Sequence, residues 1–299
     1  MRAAGPLWRR LSWSMRPPVL ALGGGGARGF AHIGFLEVLE RAGVKVAGIA
    51  GTSAGAVIGG MFLALGSSRA VLDRWRLAFE EDVIAQIPTF GEDENHTADH
   101  PLLQAARKFR DRVVISLAVN KSTLVDAGAL EKAIDFLVPD VTIEELGLPF
   151  TAVATNLITG EEVRLDRGPL RRAVMASSSI PGIVPPVVVG GVPLVDAGVI
   201  AEVPVAAARA IGRRRVIAVD VSAPLPPYRE GKLVLETLMR TGLMTSTLLR
   251  ECQLREAHIV VHPEVGSILW SDWSQFDRLV ECGRDAARRL LGLEPPLEE

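Results

Sequence analysis

Cysteine is scarce in this chain. Its 299 residues include only Cys252 and Cys282, too few for a disulfide framework or a cysteine zinc site. That usage suits a reducing compartment, so a cytoplasmic protein is expected, with peripheral contact at the inner membrane face. Neither sign of charge is in excess. With 33 Lys+Arg against 35 Asp+Glu the formal charge is −2, which gives no electrostatic grip on a polyanion and excludes nucleic acid as the expected partner. The low hydrophobicity of disordered chains is absent too, since 48% of residues are apolar and 23% charged. Residues 1–18 lack the apolar core of a signal peptide. One uncharged run is long. Ala47–Gly66 spans twenty residues with Gly51, Gly55 and Gly59 four apart, a length and spacing that match a membrane span with a dimerisation face. Its glycine content is poor for a lone helix. A buried strand, a sharp turn and a buried helix account for it better.

Residues 1–16 read as a basic tail in which Arg2, Arg9, Arg10 and Arg16 alternate with Leu7, Trp8, Leu11 and Trp13. This is the composition of an interfacial anchor or of a frayed extension. No internal repeat or dividing linker follows, so one domain is expected over 17–292, with an acidic tail at 293–299. Its elements alternate. Strand Val19–Leu22, glycine turn Gly23–Gly26 and helix Phe30–Ala42 precede strand Val44–Ala50 and the uncharged helix Ala54–Leu65. Helix Ser68–Ala85, surface loop Pro88–Pro101, helix Leu102–Arg110, strand Val113–Val119 and helix Gly128–Leu137 come next. Phe150–Asn156 with Glu161–Leu165, and Val187–Val189 with Pro193–Val195, read as two hairpins around helix Pro169–Ser177. Helices Val205–Ile211, Leu233–Glu256 and Gln275–Leu291 then alternate with strands Arg215–Val221 and Ala257–His262. The pattern implies an α/β fold of three layers, a mostly parallel central sheet with helices on both faces.

Gly51-Thr52-Ser53-Ala54-Gly55 fits G-x-S-x-G between an apolar strand and a buried helix. That is the context of a nucleophile elbow. Ser53 in such a turn sits at a helix N-terminus, where free N–H groups favour developing negative charge. Gly51 and Gly55 leave room for the sharp bend. The plainer alternative is a glycine-rich turn with Ser53 as helix cap.

Gly23-Gly24-Gly25-Gly26-Ala27-Arg28-Gly29 lies between the first strand and the first helix. Such a loop aims several amides at one anionic centre. Dinucleotide binding would want an acid closing the second strand, and Val44–Ala50 has none. No Gly-Lys-Ser/Thr follows, which excludes a phosphate-binding Walker loop. An oxyanion hole uses the loop and Ser53 together, because both follow strands at the same sheet edge.

A serine nucleophile needs a base. The histidines are His32, His96, His100, His258 and His262. His258 and His262 flank a short apolar strand, and the order Ser53, then Asp196 or Asp220, then His258 mimics a hydrolase triad. Asp196-Ala197-Gly198 closes an apolar strand ahead of a flexible turn, a usual place for a catalytic side chain, whereas Asp126-Ala127-Gly128 reads as a helix cap. From the residues alone, Asp196 ranks only slightly ahead of a histidine.

Taken together, the motifs resemble the patatin-like phospholipases, specifically the small bacterial single-domain members. The resemblance rests on Gly24–Gly34, the Gly51–Gly55 elbow, Ala176-Ser177-Ser178-Ser179-Ile180-Pro181 before Pro185-Pro186, and Val195-Asp196-Ala197-Gly198 before Val203-Pro204. It covers roughly residues 19–221 in order and spacing. It implies a patatin-like fold and a Ser–Asp dyad with Ser53 as nucleophile and Asp196 as general base. It also implies an oxyanion hole from the amides of Gly24, Gly25, Gly26 and Arg28, with Gly29, Gly51, Gly55 and Gly198 supporting the motif. The implied substrate is an acyl-ester lipid, a phospholipid, lysophospholipid or simpler carboxylic ester, handled through an acyl-enzyme with no cofactor and no metal. A non-catalytic lipid-binding or regulatory module on the same fold is the alternative, and two departures motivate it. Ala197 stands where the family usually has glycine, and Glu202 where it commonly has asparagine. Ala197 restricts the turn if that position needs positive φ. Glu202 brings a negative charge that raises the pKa of a nearby carboxyl base.

Overall fold

The computed structural model describes residues 16–84, 127–212, 214–225 and 234–293. The basic tail through residue 15, the expected loop 88–101, helix 102–110, strand 113–119, Asp126 and the acidic end from 294 lie outside them. Among the described residues the strands are β1 (Val19–Leu22), β2 (Gly48–Thr52), β3 (Phe150–Asn156), β4 (Glu162–Leu165), β5 (Val187–Val189), β6 (Val192–Asp196), β7 (Val216–Val219) and β8 (Ile259–Val261). The helices are α1 (Phe30–Arg41), α2 (Ala54–Leu65), α3 (Ser68–Glu80), α4 (Ala127–Leu137), α5 (Leu170–Ser177), α6 (Val205–Ala210), α7 (Val234–Leu254) and α8 (Phe276–Leu291).

One mixed sheet runs β5-β6-β3-β2-β1-β7-β8, with β4 also paired to β3. The stretch from β3 to β8 is parallel, whereas β4, β6 and β5 join antiparallel. Both faces are covered, so the strands are apolar on both sides. Leu20 and Leu22 of β1, with Ile49, Phe150 and Ile217, pack under a thick layer built from α1, α2, α3, α4, α5 and α8. The opposite face is small-residue ground. Val19, Ala21, Ala50, Val153 and Ala218 meet α6 and Leu254 at the end of α7.

The uncharged run 47–66 resolves into β2, a turn and α2. No single helix among the described residues is long and apolar enough to cross a membrane. Two boundaries differ from expectation. β2 begins at Gly48 because Val44 N–H bonds back to Leu39 at the end of α1, and parallel pairing starts only at Val19↔Gly48. Helix α3 stops at Glu80 rather than Ala85, and Asp82 takes φ 53 just beyond it.

Candidate active site

Strand β3 assembles the site. Its Val153 pairs with Thr52, the last residue of β2, and its next residue, Ala154, pairs with Asp196, the last residue of β6. Strand β4 pairs with those same residues of β3 and so fills the other edge. Strands β2 and β6 therefore lie end to end along one edge, running in opposite directions, with their C-terminal ends meeting. Ser53 follows Thr52 directly, and that brings it to Asp196.

Ser53 holds φ 52 and ψ −123, a strained conformation for a residue with a Cβ, costing about 1–3 kcal/mol. The surroundings over-determine it. Its N–H donates to Ser177 Oγ at 2.9 Å, and that hydroxyl donates to the Val153 carbonyl at 2.6 Å. Thr52 Oγ1 donates to the Ala201 carbonyl at 2.8 Å. Helix α2 starts at Ala54, hard against β1: a Cβ on Gly55 would lie 2.1 Å from the Leu22 carbonyl oxygen. Only glycine lets the helix begin there.

Asp196 is 5% exposed. Its backbone N–H donates to the Ser179 carbonyl at 2.8 Å. Its carboxyl accepts the Gly198 N–H at 2.7 Å and faces the Ser53 hydroxyl. Burial pushes its pKa up to about 6; the Ser53 hydroxyl and the Gly198 amide restrain the rise, and the Glu202 charge adds to it. The direction matches the effect anticipated for Glu202. Ala197 behaves otherwise than feared. Ser53 and Asp82 are the described non-glycine residues with positive φ, so the turn after Asp196 does not ask that of Ala197.

The glycine loop passes over Ser53. A Cβ on Gly24 would sit 3.3 Å from Ser53 Cβ. His32, fully buried in α1, bonds the Gly23 carbonyl through Nε2 at 2.8 Å. Burial drops its pKa to about 4, so near neutral pH it is an uncharged donor that pins the loop. Gly24 N–H donates to the Glu202 carbonyl at 2.8 Å, Ala27 N–H to Trp270 at 2.7 Å and Arg28 N–H to Gly25 at 3.2 Å. These bonds engage two of the four amides expected to hold an oxyanion. Gly24 and Arg28 are already engaged, which leaves Gly25 and Gly26 as the uncommitted loop amides among the described residues. Gly26 has φ 57, and a Cβ there would lie 2.1 Å from the Trp270 carbonyl oxygen.

The other base candidates are occupied elsewhere. His258 Nδ1 accepts the Val216 N–H at 3.1 Å. His262 Nδ1 lies 3.4 Å from Asp220 Oδ2. His96 and His100 fall outside the described residues. Ser53 opens into a cavity of about 100 Å³ whose other walls include Phe30, Val57, Trp75, Ile134, Ile180 and Trp273. Trp75 and Trp273 stack with centroids 6.4 Å apart. Trp273 is thus half-buried against the core, and Trp270 is tied to the loop through its carbonyl. A larger hollow of about 470 Å³, near Pro149, Arg164 and Ile211, contains none of the groups around Ser53.

Sequence reasoning missed the Ser177 brace and the partner of Glu202. Arg250 Nη1 lies 2.9 Å from Glu202 Oε2. The serine run at 177–179 was a visible signal for the first. Nothing in the spacing linked Glu202 to a residue on α7.

The sequence profile of the patatin-like phospholipases matches residues 20–209. An uncharacterized NTE family protein of Mycobacterium tuberculosis is 32% identical over 250 residues, covering 81% of this chain and 61% of the relative. The mouse patatin-like phospholipase domain-containing protein 6 is 32% identical over 207 residues, 68% of this chain and 13% of the relative. Among solved structures, VipD from Legionella pneumophila aligns with a TM-score of 0.46 at 15% identity, over 92% of this chain and 67% of that one. The chain spans 61% and 49% of the length of two mycobacterial relatives that it matches. With the profile match running from β1 through most of α6, across the glycine loop, the elbow and Asp196, the chain belongs to the patatin-like phospholipase family, a family of lipid hydrolases.

Proposed function

We propose that this protein is a serine acyl hydrolase acting on acyl-ester lipids through a Ser53–Asp196 dyad. The observation that carries the reading is the end-to-end meeting of β2 and β6 on β3, which hands the Ser53 hydroxyl to a buried carboxyl at the mouth of an apolar cavity. Asp196 in its ionised form accepts the Ser53 proton as Oγ attacks the ester carbonyl carbon. The oxygen of the tetrahedral intermediate takes hydrogen bonds from the Gly25 and Gly26 amides. On collapse the bond to the leaving alcohol breaks, and Asp196 returns the proton to that oxygen. Water then attacks the acyl-enzyme, with Asp196 again the base, and releases the fatty acid. The acyl chain lies along Phe30, Val57 and Ile134, an apolar lining that favours hydrocarbon. The reaction as drawn uses no cofactor. Substrate is drawn from a lipid surface touched transiently, in keeping with a cytoplasmic protein at the inner membrane face.

The test is a fluorophosphonate probe read by intact mass on wild type, Ser53→Ala and Asp196→Asn, alongside hydrolysis of a short-chain ester and a lysophospholipid. Labelling and turnover of wild type alone are expected. Unchanged ester turnover in Ser53→Ala would sink the reading, and lipid binding without labelling would favour a non-catalytic module.

A further inference from the structure

A buried charge cluster stands behind the glycine loop, and the hydrolytic chemistry makes no use of it. Its centre is Glu202, six positions after Asp196. The Glu202 carbonyl holds Gly24, and its neighbour Ala201 holds Thr52. Two consecutive carbonyls thus grip both halves of the site. The Glu202 carboxylate meets Arg250 Nη1 at 2.9 Å. Arg250 Nε in turn lies 3.4 Å from Asp220 Oδ2. Asp220 sits just beyond β7 and also faces His262 from the end of β8, 3.4 Å away, and Ser222. Arg28, in the turn after the glycine loop, faces Glu202 and Asp220. Helix α7 also grips the turn through Gln253 Nε2, which donates to the Ile200 carbonyl at 2.7 Å. Elsewhere α7 is open, with Leu238 61% and Leu248 61% exposed.

We propose that Glu202 and Arg250 are a positioning pair for the proposed hydrolysis: Arg250 anchors the turn that carries Glu202, and the turn's carbonyls set the glycine loop and the elbow against each other. The inference rests on the Ser53–Asp196 reading. Glu202 is close enough to Asp196 to disfavour the ionised base, and Arg250 offsets that charge. The two charges therefore act on Asp196 with opposite sign.

The test measures fluorophosphonate labelling rate against pH for wild type, Glu202→Gln, Arg250→Met and the double variant, with thermal unfolding in parallel. Asp196 acts deprotonated, so labelling fails as pH falls through its pKa. Removing the Glu202 charge lowers the acid-limb midpoint by roughly half a pH unit, and removing Arg250 raises it by a similar amount. Above the midpoint both single variants label about tenfold more slowly, because the loop is no longer held in register. The double variant removes both charges of the pair, so it folds even where Arg250→Met leaves Glu202 unpaired and does not, and the opposite shifts cancel to leave its midpoint near that of wild type. Wild-type midpoints and rates in all three variants would overturn the positioning role while leaving the dyad intact, as would single-variant shifts in the same direction. Failure of wild type to label at Ser53 would remove the dyad and this inference together.

Discussion

Two buried aspartates stand at strand ends on the same edge of the sheet, Asp196 closing β6 and Asp220 just beyond β7, with 5% and 4% exposure. Burial pushes both carboxyls up. At Asp196 it prevails, because the partners are a hydroxyl and one amide, and the charge acting on it is the negative Glu202. At Asp220 burial is outweighed by His262, Ser222 and Arg250, which hold the carboxyl below its ordinary value. Depth alone therefore does not tell a reactive carboxyl from a structural one; the count and sign of its partners does. Asp196 is left short of stabilising charge, which costs stability and suits it to the base role proposed for it. Asp220 is saturated and serves as an anchor.

The widest separation between the two should appear in activity. Asp196→Asn is expected to lower fluorophosphonate labelling by about a thousandfold, whereas Asp220→Asn stays within about tenfold. Equal losses would break the distinction. Gly26→Ala probes the part of the site that neither acid supplies. The added methyl collides with the Trp270 carbonyl, and ester turnover should fall about a hundredfold as an oxyanion donor is displaced.

Stability should split the pair in sign. Asp196 has a folded pKa of about 6 against 3.8 for the unfolded chain. Its ionised form is thus a burden on the fold at neutral pH, relieved as pH drops below 6. Urea denaturation at pH 7 should show Asp196→Asn more stable than wild type by on the order of 2 kcal/mol. Asp220 has the opposite linkage: its contribution is present above 3.8 and is lost as pH falls through its lowered folded value. Asp220→Asn leaves Arg250 and His262 short of a partner and should destabilise by about 2–4 kcal/mol in the same assay. The smallest effect sharpens the comparison most. The acid limb of wild-type turnover should have its midpoint near pH 6, and Ser222→Ala, which removes a hydrogen bond to Asp220, should leave it in place.

Much of this fold was legible in the sequence. Strand Val19–Leu22, helix Ala54–Leu65 and strand Phe150–Asn156 fall where apolar runs and flanking glycines put them. Gly51 and Thr52 read as a turn, yet they continue β2, because pairing with β1 and β3 outweighs the weak strand preference of glycine. Ser53 and Asp196 were legible as separate motifs. Their pairing came only from the family resemblance, since it depends on an antiparallel strand abutting a parallel one, a register that no local pattern encodes. The engagement of Gly24 was hidden for the same reason: its acceptor, Glu202, is brought there by tertiary structure.

The consecutive pairing of Val153 and Ala154 makes β3 a ruler. The gap between the two halves of the proposed dyad is set by one residue step of a third strand, roughly 3.3 Å. Exposed turns such as the one joining β3 to β4 can lengthen or shorten without changing that gap. A single inserted residue between Val153 and Ala154 would part the pair while leaving both side chains and their flanking motifs untouched. Length variation among related chains should therefore collect in the connections and vanish from this one peptide link.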